Sequence, residues 1–113
     1  MEPVKRELKR GTIELVLLTL LEKRERYGYE IVAAIEEGSG GRLEVRDGTL
    51  YPVLYRLEEA AFVAPRWETQ ERGVPRKYYR ITEEGKEELG RLEAEWREFA
   101  AAIDAILDHE GGP

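Results

Sequence analysis

Apolar residues recur along this chain with a period that switches between helical and extended spacing, and the switches divide it into elements. Ile13 to Leu21 is densely apolar, preceded by Gly11 and Thr12 and followed by the charged run Glu22 to Arg26, which predicts a first helix with Thr12 as its N-cap. Ile31, Val32 and Ile35 recur at helical spacing until Gly38, Gly40 and Gly41 stop the pattern, predicting a second helix. Leu43 and Val45 alternate with polar residues as a brief extended piece. Asp47, Gly48 and Thr49 then supply capping chemistry for a third helix that runs to about Ala60. With Thr49 as N-cap, Pro52 falls in the first turn, where its missing N–H has no intrahelical acceptor to lose. At about 100° per residue, Leu50, Val53, Leu54, Leu57 and Ala61 share one side of this helix. Pro52, Tyr55 and Glu59 lie opposite, with Thr49, Tyr51 and Arg56 on the flanks.

Phe62 to Glu68 and Arg76 to Ile81 are rich in β-branched and aromatic residues, and Gly73 with Pro75 supplies a turn between them: a hairpin with a basic tip. The last element starts at Thr82, where Glu83 and Glu84 suit the positive end of a helix dipole. In it Leu89, Leu92, Trp96, Phe99, Ile103 and Ile106 are separated by 3, 4, 3, 4 and 3 residues, the a/d seam of a coiled coil. A helix folded back on its own domain leaves the length of that stripe unexplained, whereas pairing with a second copy uses all of it. The predicted fold is therefore mainly α with a small β-hairpin. Residues 1–81 form a winged helix-turn-helix DNA-binding domain with an N-terminal extension, and residues 82–110 a coiled-coil-like dimerisation helix. Gly111, Gly112 and Pro113 read as a frayed tail.

Composition narrows the function. A chain of 113 residues makes one domain, with little room for a supported catalytic cleft. It has no cysteine, so thiolate metal sites and cysteine nucleophiles are absent and a reducing compartment fits. His109 is the one histidine and Ser39 the one serine, and no metal-ligand cluster or phosphate-cradling glycine loop accompanies them; no enzyme and no cofactor is expected. Ile13 to Leu21 is too short to span a bilayer, and the charged amino end lacks a secretory cleavage pattern, so the expected location is the cytoplasm. The net charge of −6 runs against a DNA partner. Its distribution does not: residues 1–81 carry 15 Lys and Arg against 14 Asp and Glu, residues 82–113 only 3 against 10. Cations cluster at Lys5, Arg6, Lys9 and Arg10, and again at Arg72, Arg76, Lys77 and Arg80.

Three runs carry a more specific signal: Tyr27-Gly28-Tyr29-Glu30-Ile31, then Asp47-Gly48-Thr49-Leu50-Tyr51-Pro52 with Leu54, Arg56, Leu57 and Glu58, then Pro75-Arg76-Lys77-Tyr78-Tyr79-Arg80-Ile81-Thr82 with Gly85. In order and spacing these resemble the PadR family of transcriptional regulators over about residues 11–90. The single carboxyl-terminal helix is similar to the short subgroup of that family. The chain departs from the family pattern at Ala61, where a glycine is usual, and at Val74 and Pro75, where arginines are common at the wing tip. The resemblance implies a homodimeric repressor that binds double-stranded DNA at an inverted repeat and is released by a small effector, with aromatic compounds as candidates.

On that reading Thr49, Tyr51, Pro52, Tyr55 and Arg56 lie on the groove-facing helix, and Arg72, Arg76 and Lys77 meet phosphate from the wing. Two alternatives stay open for Arg56, guanine or phosphate, and two for Tyr51, DNA or packing on a neighbouring helix. Trp96 and Phe99 either sandwich a planar effector at the dimer seam or fill that seam themselves. The rival function is a winged helix that acts through a protein partner.

Overall fold

The computed structural model describes residues 6–8 and 10–109; the expectations placed on Lys5, Lys9 and the Gly111–Pro113 tail lie outside the described residues. The chain runs β1 (Arg6–Glu7), α1 (Arg10–Lys23), β2 (Arg26–Tyr27), α2 (Gly28–Gly38), β3 (Leu43–Glu44), α3 (Asp47–Glu59), β4 (Val63–Glu68), β5 (Arg76–Ile81) and α4 (Glu83–Leu107). Helix α1 is apolar on several sides because it touches α2, α3, β5 and α4 at once. Ile13, Leu17, Leu18 and Leu21 from α1 meet Ile31 and Ile35 from α2, Leu50, Leu54 and Leu57 from α3, and Tyr79 from β5 in one core. Helix α1 begins at Arg10, ahead of the expected Thr12 cap. The reason lies upstream: β1 runs parallel to β3, the Leu8 N–H donates to the Glu44 carbonyl at 2.8 Å, and Leu8 is buried. The chain is already anchored when the helix starts.

The start of α3 also differs from the expectation. Its N-cap is Arg46, whose carbonyl accepts from the N–H of Thr49 and of Leu50, both at 2.9 Å. Thr49 is inside the helix, and Pro52 sits in the second turn, where the missing N–H leaves the Gly48 carbonyl without its intrahelical donor. Gly48 is exposed, so water is within reach of that carbonyl. The apolar side is as expected through Leu57, but Ala61 is exposed beyond the helix end and adopts a φ of 65°.

Helices α2 and α3 end in the same way. After α2 the Gly41 N–H reaches back to the Glu36 carbonyl at 2.8 Å and the Gly40 N–H to Glu37 at 3.2 Å. After α3 the Phe62 N–H reaches Leu57 at 2.9 Å and the Ala61 N–H reaches Glu58 at 3.0 Å. Both are Schellman endings, and both turn on a left-handed residue at φ 65°, glycine in one case and alanine in the other.

Strands β4 and β5 form the expected antiparallel hairpin, with Val63 opposite Ile81 at its root and Glu68 opposite Arg76 towards its tip. Arg26, the last residue of the charged run after the first helix, and Tyr27 form β2, which pairs with β5 and makes a sheet of order β2-β5-β4. Thr82 caps α4 by accepting from the Gly85 N–H at 3.0 Å, while its hydroxyl donates to the Ala61 carbonyl at 2.6 Å. One side chain thus joins the end of α3 to the start of α4. The 25 residues of α4 extend far past the core and draw the molecule out to 67 × 39 × 22 Å. Among the described residues, no helix is long and apolar enough to cross a membrane.

Candidate nucleic-acid interface

The side of α3 turned away from the core presents Pro52, Tyr55, Arg56 and Glu59, with Thr49 half-buried at the edge and Arg46, Asp47 and Gly48 exposed at the amino end. Tyr51 is turned inward. Its hydroxyl lies so close to Gly28, at the start of α2, that a Cβ there would stand 2.2 Å from the oxygen. Burial pushes the Tyr51 phenol pKa up, and Asp47 and Tyr55 push the same way. Tyr51 thus sets how closely α3 approaches α2. Arg56 is 45% exposed and paired with Glu14 of α1 at 2.9 Å, a surface bridge worth about 0–1 kcal/mol.

The two faces of the wing differ, because side chains alternate across each strand. Arg76, Tyr78 and Arg66 lie on one face together with Tyr27 of β2. The Arg76 guanidinium sits 4.7 Å from the centre of the Tyr27 ring, and that of Arg66 4.8 Å from the Tyr78 ring. Arg66 also grips the carboxylate of Glu25, which lowers the Glu25 pKa. Arg72 is exposed in the turn. Lys77 belongs to the other face, against α3, and is only 24% exposed. Its ammonium is 3.0 Å from Glu58 Oε1 and 5.2 to 5.7 Å from the rings of Tyr79, Tyr55 and Trp67.

On α4 the predicted seam divides. Leu89 is 5% exposed and Leu92 half-buried, both packed in the core of their own protomer. Leu89 therefore has little surface left for the dimer seam expected of it, because the first turns of α4 cover α1. Trp96, Phe99, Ile103 and Ile106 continue the stripe and are exposed, Trp96 by 40% and Phe99 by 59%. The Trp96 and Phe99 rings lie 6.3 Å apart beside a groove of about 660 Å³ whose other wall is Gly11, Thr12 and Leu15 of α1.

Three core helices, a hairpin wing and a long terminal helix are also what known proteins of one family share. A family model described as the transcriptional regulator PadR-like family matches residues 17–91. The chain belongs to the PadR family. A protein from Lysinibacillus sphaericus, itself uncharacterized, is 34% identical over 93% of this chain and 96% of its own length. The negative transcriptional regulator PadR of Bacillus subtilis is 31% identical over 68% of this chain, a match that spans 42% of that protein. The crystal structure of a PadR family transcriptional regulator from Eggerthella lenta superposes with a TM-score of 0.79, at 32% identity, covering 89% of this chain and 86% of that one. This PadR-family chain is accordingly a transcriptional regulator with a winged-helix DNA-binding fold, and not an enzyme.

Within this PadR fold the structure brings together residues that sequence reasoning kept apart. Glu58, Trp67 and Tyr79 surround Lys77, and Tyr27 underlies Arg76. The signal was present in part: Lys77, Tyr79 and Ile81 alternate with Tyr78 and Arg80, so a strand with Tyr79 buried carries Lys77 on its inner face. Exposed Arg46, at the entrance to α3, also escaped notice.

Proposed function

We propose that this regulator is a homodimeric repressor that binds an inverted-repeat operator on double-stranded DNA and leaves it when a small aromatic effector binds. The observation that carries this reading is the apolar stripe of α4 from Leu92 through Trp96, Phe99 and Ile103 to Ile106, most of which the protomer leaves exposed. Apolar surface left in water is disfavoured by about 25 cal/mol per Å². A second α4 covers the stripe along its length, as in a coiled coil. A two-fold axis through that contact presents two α3 helices, and the matching operator has half-sites about 34 Å apart, one turn of DNA.

In each half, Thr49, Pro52 and Tyr55 face the groove, and Arg72 and Arg76 meet phosphate. Arg56 takes a guanine or a phosphate after releasing Glu14, and Tyr51 supports the helix from behind. Residues 1–81 act as the DNA-binding domain and residues 82–110 as the dimerisation helix, in the cytoplasm. Repression is supported by the Bacillus subtilis relative, a negative regulator by name. The effector reading is supported by the groove beside Trp96 and Phe99, where a planar ring can stack.

The test is a fluorescence-anisotropy titration against the promoter upstream of the protein's own gene, with unrelated duplex as competitor. Preference for the promoter, weakening with salt, is the expected result. Equal affinity for both duplexes would move the function to a protein partner of the winged helix.

A further inference from the structure

A lysine in a wing is ordinarily assigned to phosphate, yet the surroundings of Lys77 serve a different purpose. Its ammonium faces the protein: Glu58 of α3 at 3.0 Å, and three aromatic rings from α3, β4 and β5 within 5.7 Å. Glu58 Oε1 and the Tyr79 hydroxyl are both buried and have no hydrogen-bond partner among the described residues, so the ion pair with this ammonium, at 3.0 Å from Oε1, is what offsets the Glu58 charge. Removing Lys77 therefore leaves the part-buried Glu58 carboxylate without its cation. Reaching a phosphate would do the same, because the lysine would have to leave all four partners. Arg72, by contrast, is exposed in the turn. Glu58 and Tyr55 stand three positions apart on α3, so the contact holds the wing to the helix that carries the groove-facing side chains.

We infer that Lys77 is a positioning residue for DNA recognition: it pins the wing against α3 through Glu58 and Tyr55, and makes no phosphate contact of its own. The inference rests on the DNA-binding reading and adds to it a fixed geometry between wing and recognition helix. The bound arrangement of the wing is then built into the free protein. If releasing the anchor leaves the wing docked for only about a tenth of the time, apparent affinity falls about tenfold.

The test compares Lys77→Met, Glu58→Ala and Arg72→Ala in the full chain, by promoter binding over a range of salt and by amide hydrogen exchange without DNA. Glu58→Ala is the most informative variant, since losing an acid near DNA strengthens binding on charge grounds alone. The anchor predicts the opposite: Glu58→Ala and Lys77→Met each weaken binding about tenfold with the salt slope unchanged. Arg72→Ala flattens the slope of log K against log salt by about one unit. The amides of β4 and β5 exchange faster in the first two variants and not in the third. A flattened slope in Lys77→Met, or tighter binding in Glu58→Ala, would make Lys77 a phosphate ligand and overturn the inference. Unchanged wing exchange in both would also overturn it. A wild-type protein that ignores the promoter, with wing amides still faster in both variants, would remove the DNA reading and leave the anchor standing.

Discussion

Ala61 occupies a position that the same chain elsewhere gives to glycine, and replacing it should stabilise the protein. It sits at the left-handed residue of the Schellman ending of α3, at φ 65°, while Gly40 has the same φ in the matching place after α2. A left-handed conformation brings an alanine Cβ too close to the following carbonyl, at a cost of about 1–2 kcal/mol. Ala61 is exposed, so removing its methyl group uncovers little apolar surface. Against the relief stands the larger freedom of glycine in the unfolded chain, about 0.4–1 kcal/mol. The net expectation for Ala61→Gly is a gain of about 0.5–1 kcal/mol, which for a chain of this length raises Tm by roughly 2–4 °C. Gly40→Ala is the mirror experiment, and it should lose about 1 kcal/mol, because the only atom near the added Cβ is the mobile end of Arg42, 3.3 Å away. Both are read by thermal and urea unfolding at one fixed protein concentration, since the proposed dimerisation would make Tm concentration-dependent. An Ala61→Gly protein that melts at or below the wild type would refute the argument from backbone strain.

Three further outcomes are expected. Gly28→Ala drives a methyl group into the Tyr51 hydroxyl and should cost about 1–3 kcal/mol; adding Tyr51→Phe should recover part of the loss, whereas no recovery in urea unfolding would place the strain elsewhere. Phe99→Glu puts a charge in the middle of the exposed α4 stripe and should weaken self-association by about tenfold or more in sedimentation, with the helical content of the protein retained. On acidification the Glu25–Arg66 and Glu88–Arg91 pairs should lose their contribution: each carboxyl has a folded pKa lowered by its arginine, so the stabilisation is present above the ordinary carboxylate range and disappears as pH falls through the lowered values. The isosteric Glu88→Gln, which removes the carboxylate charge facing Arg91, should flatten that part of the acid-unfolding profile.

The sequence made the helices and the wing readable because each is long enough to show a period. Ile13 to Leu21, Leu50 to Leu57 and the stripe after Leu89 each repeat their apolar spacing several times, and β4 with β5 alternates over six residues a strand. Strands β1 and β2 hold two residues each, too few for any period, and their pairing is carried by backbone groups common to all sequences, whereas β3 shows in the alternation of Leu43 and Val45. The capping of α3 was misread because Asp47 and Thr49 are both good caps by composition, while the structure uses Arg46 with no side-chain bond at all. Leu89 was assigned to the seam because periodicity records that a helix face is apolar and not which surface covers it. For Lys77, the charge suggested phosphate, while the strand alternation that buries Tyr79 pointed inward.

The central claim is that two protomers, joined through α4, read two half-sites. It is tested most directly by stoichiometric titration of the promoter duplex at protein and DNA concentrations well above Kd, repeated with one half of the inverted repeat scrambled. The account predicts saturation at two protomers per intact duplex and a marked loss of affinity when either half is scrambled. Saturation at one protomer per duplex, or indifference to scrambling, would contradict it.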